Sequence, residues 1–227
     1  MVAFDRVGDK PKFMVMNNNL GGLDQLLIPL LGDLYGWVKA FIQNITKPGM
    51  YEVLNYETTL EILDAKGKGA ILTKIEEVRF LQNNIIAFQD QAWGDGEILV
   101  NYQCSPGKAV DFFRNGHKTL VLISLPYMKQ RGEYITFRIN WKIKNGFLKP
   151  TGFWGTDIDH QTQKIKICLI LPAERPPKRI FIEEISKNRS QELDMINLSR
   201  MPDNRWQIYW EKQNPRLHEH YLLRWEW

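Results

Sequence analysis

Cysteine is almost missing from this chain: among 227 residues only Cys104 and Cys168 occur, far apart. That spacing excludes a disulfide framework and a CxxC metal knuckle, and it suits a reducing, cytoplasmic setting. An excess of one charge sign is also missing. Thirty basic residues against 26 acidic ones leave a formal net charge of +4, too little by itself to point to nucleic acid or anionic lipid. The most basic segment, Arg175-Pro-Pro-Lys-Arg179, has Glu174, Glu183 and Glu184 about it. A nucleic-acid groove would cluster positive charge, so this segment reads as an edge-protecting loop and nucleic acid is not expected as a partner.

No uncharged apolar run is long enough to cross a membrane. The most apolar stretch, Leu20 to Ile45, is interrupted by Asp24, Asp33, Lys39 and Pro29, whereas a spanning helix needs roughly 20 predominantly apolar residues. At the N-terminus Asp5 and Asp9 stand beside Arg6 and Lys10, and no compact apolar run ends in small residues, so no secretory signal is expected. Neither a Gly-x-Ser-x-Gly elbow nor a Gly-x-x-x-x-Gly-Lys-Ser/Thr loop occurs, and no motif names a cofactor.

Aromatic residues, by contrast, are plentiful: eight Trp, eight Tyr and eleven Phe. They suit the half-buried faces of sheets and the anchors of interfaces. From Leu20 to Ile45 the apolar residues Leu20, Leu23, Leu27, Leu30, Leu34, Val38, Phe41 and Ile45 recur every three or four positions. This spacing predicts an amphipathic N-terminal helix over about 20–46, ended by Lys47-Pro48-Gly49. Leu26, Ile28, Leu31, Tyr35, Trp37 and Ile42 widen its apolar stripe beyond what one face of a small β domain covers. The helix must be buried on the chain's own sheet, on a partner or second copy, or at a membrane surface. Asp24 and Asp33 against a single Lys39 disfavour the membrane.

After Pro48-Gly49 the apolar period changes to two, with turn signals about every ten residues. The Asp64–Gly69 segment separates Glu57–Leu63 from Ala70–Phe80, and Gly94-Asp95-Gly96 separates Ile85–Trp93 from Glu97–Cys104; both read as hairpins. Lys118–Leu125 reads as a buried strand. The alternation is cleanest at Ile135, Phe137, Ile139, Trp141 and Ile143, and further strands are expected at 153–158, 164–171, 179–185, 193–198, 205–211 and 221–227. About seven strands in the second half match an Ig-like sandwich in number. The expected fold is therefore mainly β, an antiparallel β-sandwich preceded by the helix: segment 1–49, a β subdomain at 50–129 and a sandwich subdomain at 130–227.

Three constellations carry candidate chemistry. His218 and His220, two apart at the start of the last strand, would share a face and form a metal site if Asp157 joined them, with Asp159 and His160 close by in sequence; the alternative is a polar strand end. Cys104 is a candidate thiol with His117 as its base, or a structural cysteine. Glu76, Glu77, Glu183 and Glu184 read as solvent-facing carboxylates. Together these features favour a non-catalytic interaction or assembly module that docks a protein partner, or another copy, through Leu23, Leu27, Leu30, Leu34, Val38 and Phe41. The rival readings are a metal-assisted hydrolase or thiol enzyme, and a small-ligand or lipid-binding β protein whose aromatics line a pocket. The alternation of Tyr221, Leu223, Trp225 and Trp227 predicts a last strand pinned into the sheet to its final residue.

Overall fold

Alternating apolar residues dominate the segments that pair, as the period-two pattern requires. A computed structural model describes residues 49–227, which fall in one compact unit. The expected helix, with its docking residues Leu23, Leu27, Leu30, Leu34, Val38 and Phe41, lies outside the described residues. The described chain is mainly β, with strands β1 (Tyr51–Ile62), β2 (Gly69–Phe80), β3 (Ile85–Ala92), β4 (Glu97–Ser105), β5 (Lys108–Asn115), β6 (Lys118–Lys129), β7 (Tyr134–Lys144), β8 (Thr151–Asp157), β9 (Lys164–Leu171), β10 (Arg179–Glu184), β11 (Arg189–Glu192), β12 (Leu198–Arg200), β13 (Trp206–Gln213) and β14 (His220–Glu226). Short 3₁₀ turns occupy Ile185–Lys187 and Met195–Asn197, so the single strand expected at 193–198 is broken. Among the described residues no helix is long and apolar enough to cross a membrane.

The strands form three sheets: seven strands in the order β12-β13-β9-β1-β2-β7-β4, four in the order β11-β10-β14-β8, and three in the order β3-β6-β5. The β1–β2 hairpin is formed as expected, its loop held by the Asp64 carboxylate accepting the backbone N–H groups of Lys66, Lys68 and Gly69. The second expected hairpin is corrected. β3 pairs with β6 and β4 pairs with β7, so Gly94-Asp95-Gly96 crosses between two sheets. Gly96 has φ +79°, and a Cβ there would stand 2.3 Å from the Lys144 carbonyl oxygen. Its glycine therefore answers a close crossing over the β7–β8 turn, a need as well as a turn's for a residue without Cβ. A second correction concerns direction: β1 and β9 run parallel, while the other strand pairs are antiparallel. The seven-stranded sheet takes β1, β2 and β4 from before residue 130 and β7, β9, β12 and β13 from after it.

Residues directly opposite one another in a ladder share a face. One such row runs Trp210–Ile167–Thr58–Lys74–Ile139–Cys104 across β13, β9, β1, β2, β7 and β4. From this row Trp210 meets Tyr221 of the four-stranded sheet, ring centroids 5.5 Å apart, and Lys74 reaches Asp90 of the three-stranded sheet. Both small sheets thus lie against the same face of the long one. The core between them holds Leu60, Leu72, Val78, Phe80, Phe137, Trp141, Ile165 and Leu169, with Tyr221, Leu223 and Trp225 from β14. β14 sits inside its sheet between β10 and β8, and its Tyr221–Leu223–Trp225 face is buried through to Trp227, whose indole N–H donates to the Lys149 carbonyl at 2.8 Å. The basic loop contributes to this packing: the Arg175 guanidinium lies 4.1 Å from the Trp227 ring, and Arg179 pairs with Glu192.

Candidate functional site

On β2 the residues of one parity are Ala70, Leu72, Lys74, Glu76, Val78 and Phe80, and all six are buried. Two charged side chains therefore point to the same face as the apolar core. Glu76 was expected to face solvent; it is instead 8% exposed, in a row between Tyr56 and Phe137. Only Glu77, on the opposite parity, follows the expected pattern more closely. Glu183 and Glu184 are also not free solvent groups: they pair with Arg224 and with Lys212 and Lys187.

Lys74 donates to the Asp90 carboxylate at 2.7 Å and to the Gln91 carbonyl at 2.7 Å, with side-chain exposures of 5% and 2% for the ion pair. Tyr102 Oη donates to the other Asp90 oxygen at 3.0 Å. Burial alone would lower the Lys74 ammonium's pKa, but Asp90 and the neighbouring Tyr56 outweigh it and hold it above the ordinary lysine value. Glu76 makes no hydrogen bond or ion pair among the described residues. Burial pushes its carboxyl up to about 8; Lys74 opposes the rise and Asp90 adds to it. At neutral pH Glu76 is therefore mostly a protonated acid.

Lys74 and Glu76 form part of the floor, and Asp90 part of one wall, of a cavity of about 350 Å³. Tyr51, Val53 and Tyr56 of β1 complete the floor; Gln89, Asp90 and Gln91 of β3 form one wall, and Trp154 to Asp157 of β8 form the other. β3 and β8 are the facing edge strands of the two small sheets. Polar side chains bridge the walls: Gln91 donates to Asp159 at 2.7 Å, and Lys118 donates to Asp157 at 2.6 Å and to the Gln91 side-chain oxygen at 3.0 Å. Three buried polar atoms on lining residues have no hydrogen-bond partner among the described residues: Gln89 Oε1, His160 Nδ1 and Trp154 Nε1. His160 stacks on Tyr51 with centroids 4.0 Å apart, and burial lowers its pKa, so the ring is neutral at pH 7. The rings of Trp93 and Trp154, 6.5 Å apart and 10° from parallel, separate this cavity from a second hollow of about 310 Å³ that they also line.

Of the metal-site residues, the structure brings two together. His220 and Asp157 are directly opposite on β14 and β8, with Nδ1 to Oδ1 at 2.6 Å. The second Asp157 oxygen takes Lys118. Burial would raise the Asp157 carboxyl, but hydrogen bonds from His220 and Lys118 hold it below its usual value. His218 precedes the strand with φ +62° and lines the cavity, so the expected shared strand face for the two histidines is not formed. Among the described residues no group of three or more His, Cys, Asp or Glu side chains is placed to hold a metal ion. Cys104 and Cys168 are free thiols, and burial raises the pKa of both. Cys104 shares a face with Ile139 at the sheet edge and has no hydrogen bond to His117, which is exposed at the β5–β6 turn.

Sequence reasoning passed over Lys74, Asp90 and Gln89 altogether. The signal was present in β2, where a lysine and a glutamate occupy the apolar parity between Leu72 and Val78.

No family model and no curated relative matches the chain. Among solved structures it is similar to a protein from Parabacteroides distasonis described as a "putative protease", with a TM-score of 0.46 and 10% identity over 80% of this chain and 41% of that one. The chain thus spans less than half the length of that protein.

Proposed function

We propose that the described body is a β-sandwich scaffold that binds a small polar ligand in the cavity between β3 and β8, without catalysing its conversion. The observation that carries this reading is Glu76: a residue on the buried face of β2 whose carboxyl lines a cavity of about 350 Å³ and makes no hydrogen bond or ion pair among the described residues. A ligand group that pairs with Glu76 supplies a contact that the described residues do not. Small-molecule sites are concave, largely preformed and carry a few convergent polar groups, and this cavity is at the small end of their size range. Among the described residues no serine or cysteine side chain is hydrogen-bonded to the His220–Asp157 pair. A cytoplasmic setting, expected from the cysteines, belongs to the same reading.

Thermal melts with a panel of sugars, amino acids, amines and organic acids test it. A ligand present at about 100 times its Kd adds about 2.7 kcal/mol, or a Tm rise of roughly 5–10 °C for a domain of this size. The rise should shrink in Gln89→Ala, which removes an unpartnered acceptor without breaking an internal bond. A panel that shifts nothing, or a shift indifferent to Gln89→Ala, refutes binding in this cavity.

A further inference from the structure

Resting on the ligand-binding reading, we propose that the cavity takes a small organic cation, a protonated aliphatic amine, with its ammonium group against Glu76. Charge decides the sign. Four carboxyl groups line the cavity, Glu76, Asp90, Asp157 and Asp159, against two lysines. Both lysines are already committed: Lys74 to Asp90 and the Gln91 carbonyl, Lys118 to Asp157 and the Gln91 side chain. An anion therefore finds no free lysine among the described lining residues, while a cation finds Glu76 once its carboxyl ionises.

The unpartnered atoms point the same way. Gln89 Oε1 is an acceptor, and Nδ1 of the neutral His160 ring accepts in one tautomer; Trp154 Nε1 is the donor among the three. An ammonium group brings three donors and no acceptor, whereas a sugar hydroxyl brings both. Tyr51, Trp93 and Trp154 add ring faces, and the faces of aromatic rings attract cations.

Glu76 also couples this occupant to pH. The charged and titratable groups facing it are Lys74 on its own strand, Tyr51 and Tyr56 on β1, Asp90 on β3 and Tyr102 on β4; β7 offers only Phe137 opposite. With its carboxyl held up to about 8 by burial, Glu76 must release its proton to meet a cation at full charge. Amine binding then strengthens as pH rises and expels a proton.

Isothermal titration of the full chain with 1,4-diaminobutane, beside maltose and inorganic phosphate, tests the proposal. The diamine should bind and the other two should not. Its affinity should rise roughly tenfold or more between pH 6.5 and 8.5, in step with Glu76 ionisation. Glu76→Gln, checked for folding by its melt, should weaken binding at pH 8.5 at least tenfold and flatten the pH profile. Diamine binding that is independent of pH and of Glu76 overturns the proposal. Binding of maltose or phosphate without the diamine overturns the charge class and leaves the ligand-binding reading standing. Silence from these probes and from the thermal panel together removes both.

Discussion

Replacing Lys74 with Met tests whether the buried charges hold the two sheets together. The substitution keeps the side chain's length and apolar stem but deletes Nζ, and with it the 2.7 Å bonds to Asp90 and to the Gln91 carbonyl. Among the described residues Asp90, 3% exposed, then keeps only Tyr102 Oη at 3.0 Å. Removing one member of a buried ion pair leaves the other uncompensated and costs about 3–5 kcal/mol. Against a total stability of roughly 5–15 kcal/mol this is a large fraction, and it corresponds to a Tm fall of roughly 6–20 °C for a domain of this size. Urea melts at pH 7 measure it. The slope of unfolding free energy against urea should stay unchanged, because the surface exposed on unfolding does not change. The double variant Lys74→Met with Asp90→Asn, which neutralises the stranded carboxylate and keeps an acceptor for Tyr102, should recover more than half of the loss. If Lys74→Met lies within about 1 kcal/mol of wild type, or the double variant is no better than the single one, the pair is not a buried, coupled unit and the reasoning fails.

Two further outcomes are expected. Glu76 has an ordinary value of 4.5 raised to about 8 in the fold, so between these pH values the folded state holds a proton that the unfolded state has released. Stability should therefore fall with rising pH across that window, by up to about 1.4 kcal/mol per unit, and level off above it. His160, lowered by burial, acts oppositely at the acid end: its contribution is present above the unfolded histidine pKa of about 6.5 and is lost as pH falls. The difference between wild type and Glu76→Gln isolates the Glu76 term; a difference constant from pH 5 to 9 would contradict it. Deleting Arg224 to Trp227 removes the end of β14, which pairs with both β10 and β8, together with two buried indoles. Each indole is worth about 1.5–3 kcal/mol on full burial, so circular dichroism melts should show loss of cooperative unfolding; an unaltered Tm would refute this role for the terminus.

The sequence by itself determined which segments are extended and which residues share a face. Period-two alternation located β2, β7 and β14, and in β14 it foresaw the burial of Tyr221, Leu223, Trp225 and Trp227. Even the site was half visible, because Lys74 and Glu76 sit on the apolar parity of β2. The same local signal misread the route from β3 to β4, since Gly-Asp-Gly suits a tight turn and a crossing between sheets equally. His220 and Asp157 could be named from the sequence, but only the pairing of β14 with β8 made them opposite neighbours, with Lys118 taking the remaining carboxylate oxygen. Tertiary structure alone decided that Asp90, on another sheet, meets Lys74, and that Glu76 pairs with none of the described residues. The reason is physical: every strand offers the same backbone donors and acceptors, so the local pattern sets conformation and facing. Which strand pairs with which, and which buried charge finds a counter-charge, depends on contacts between segments distant in the chain.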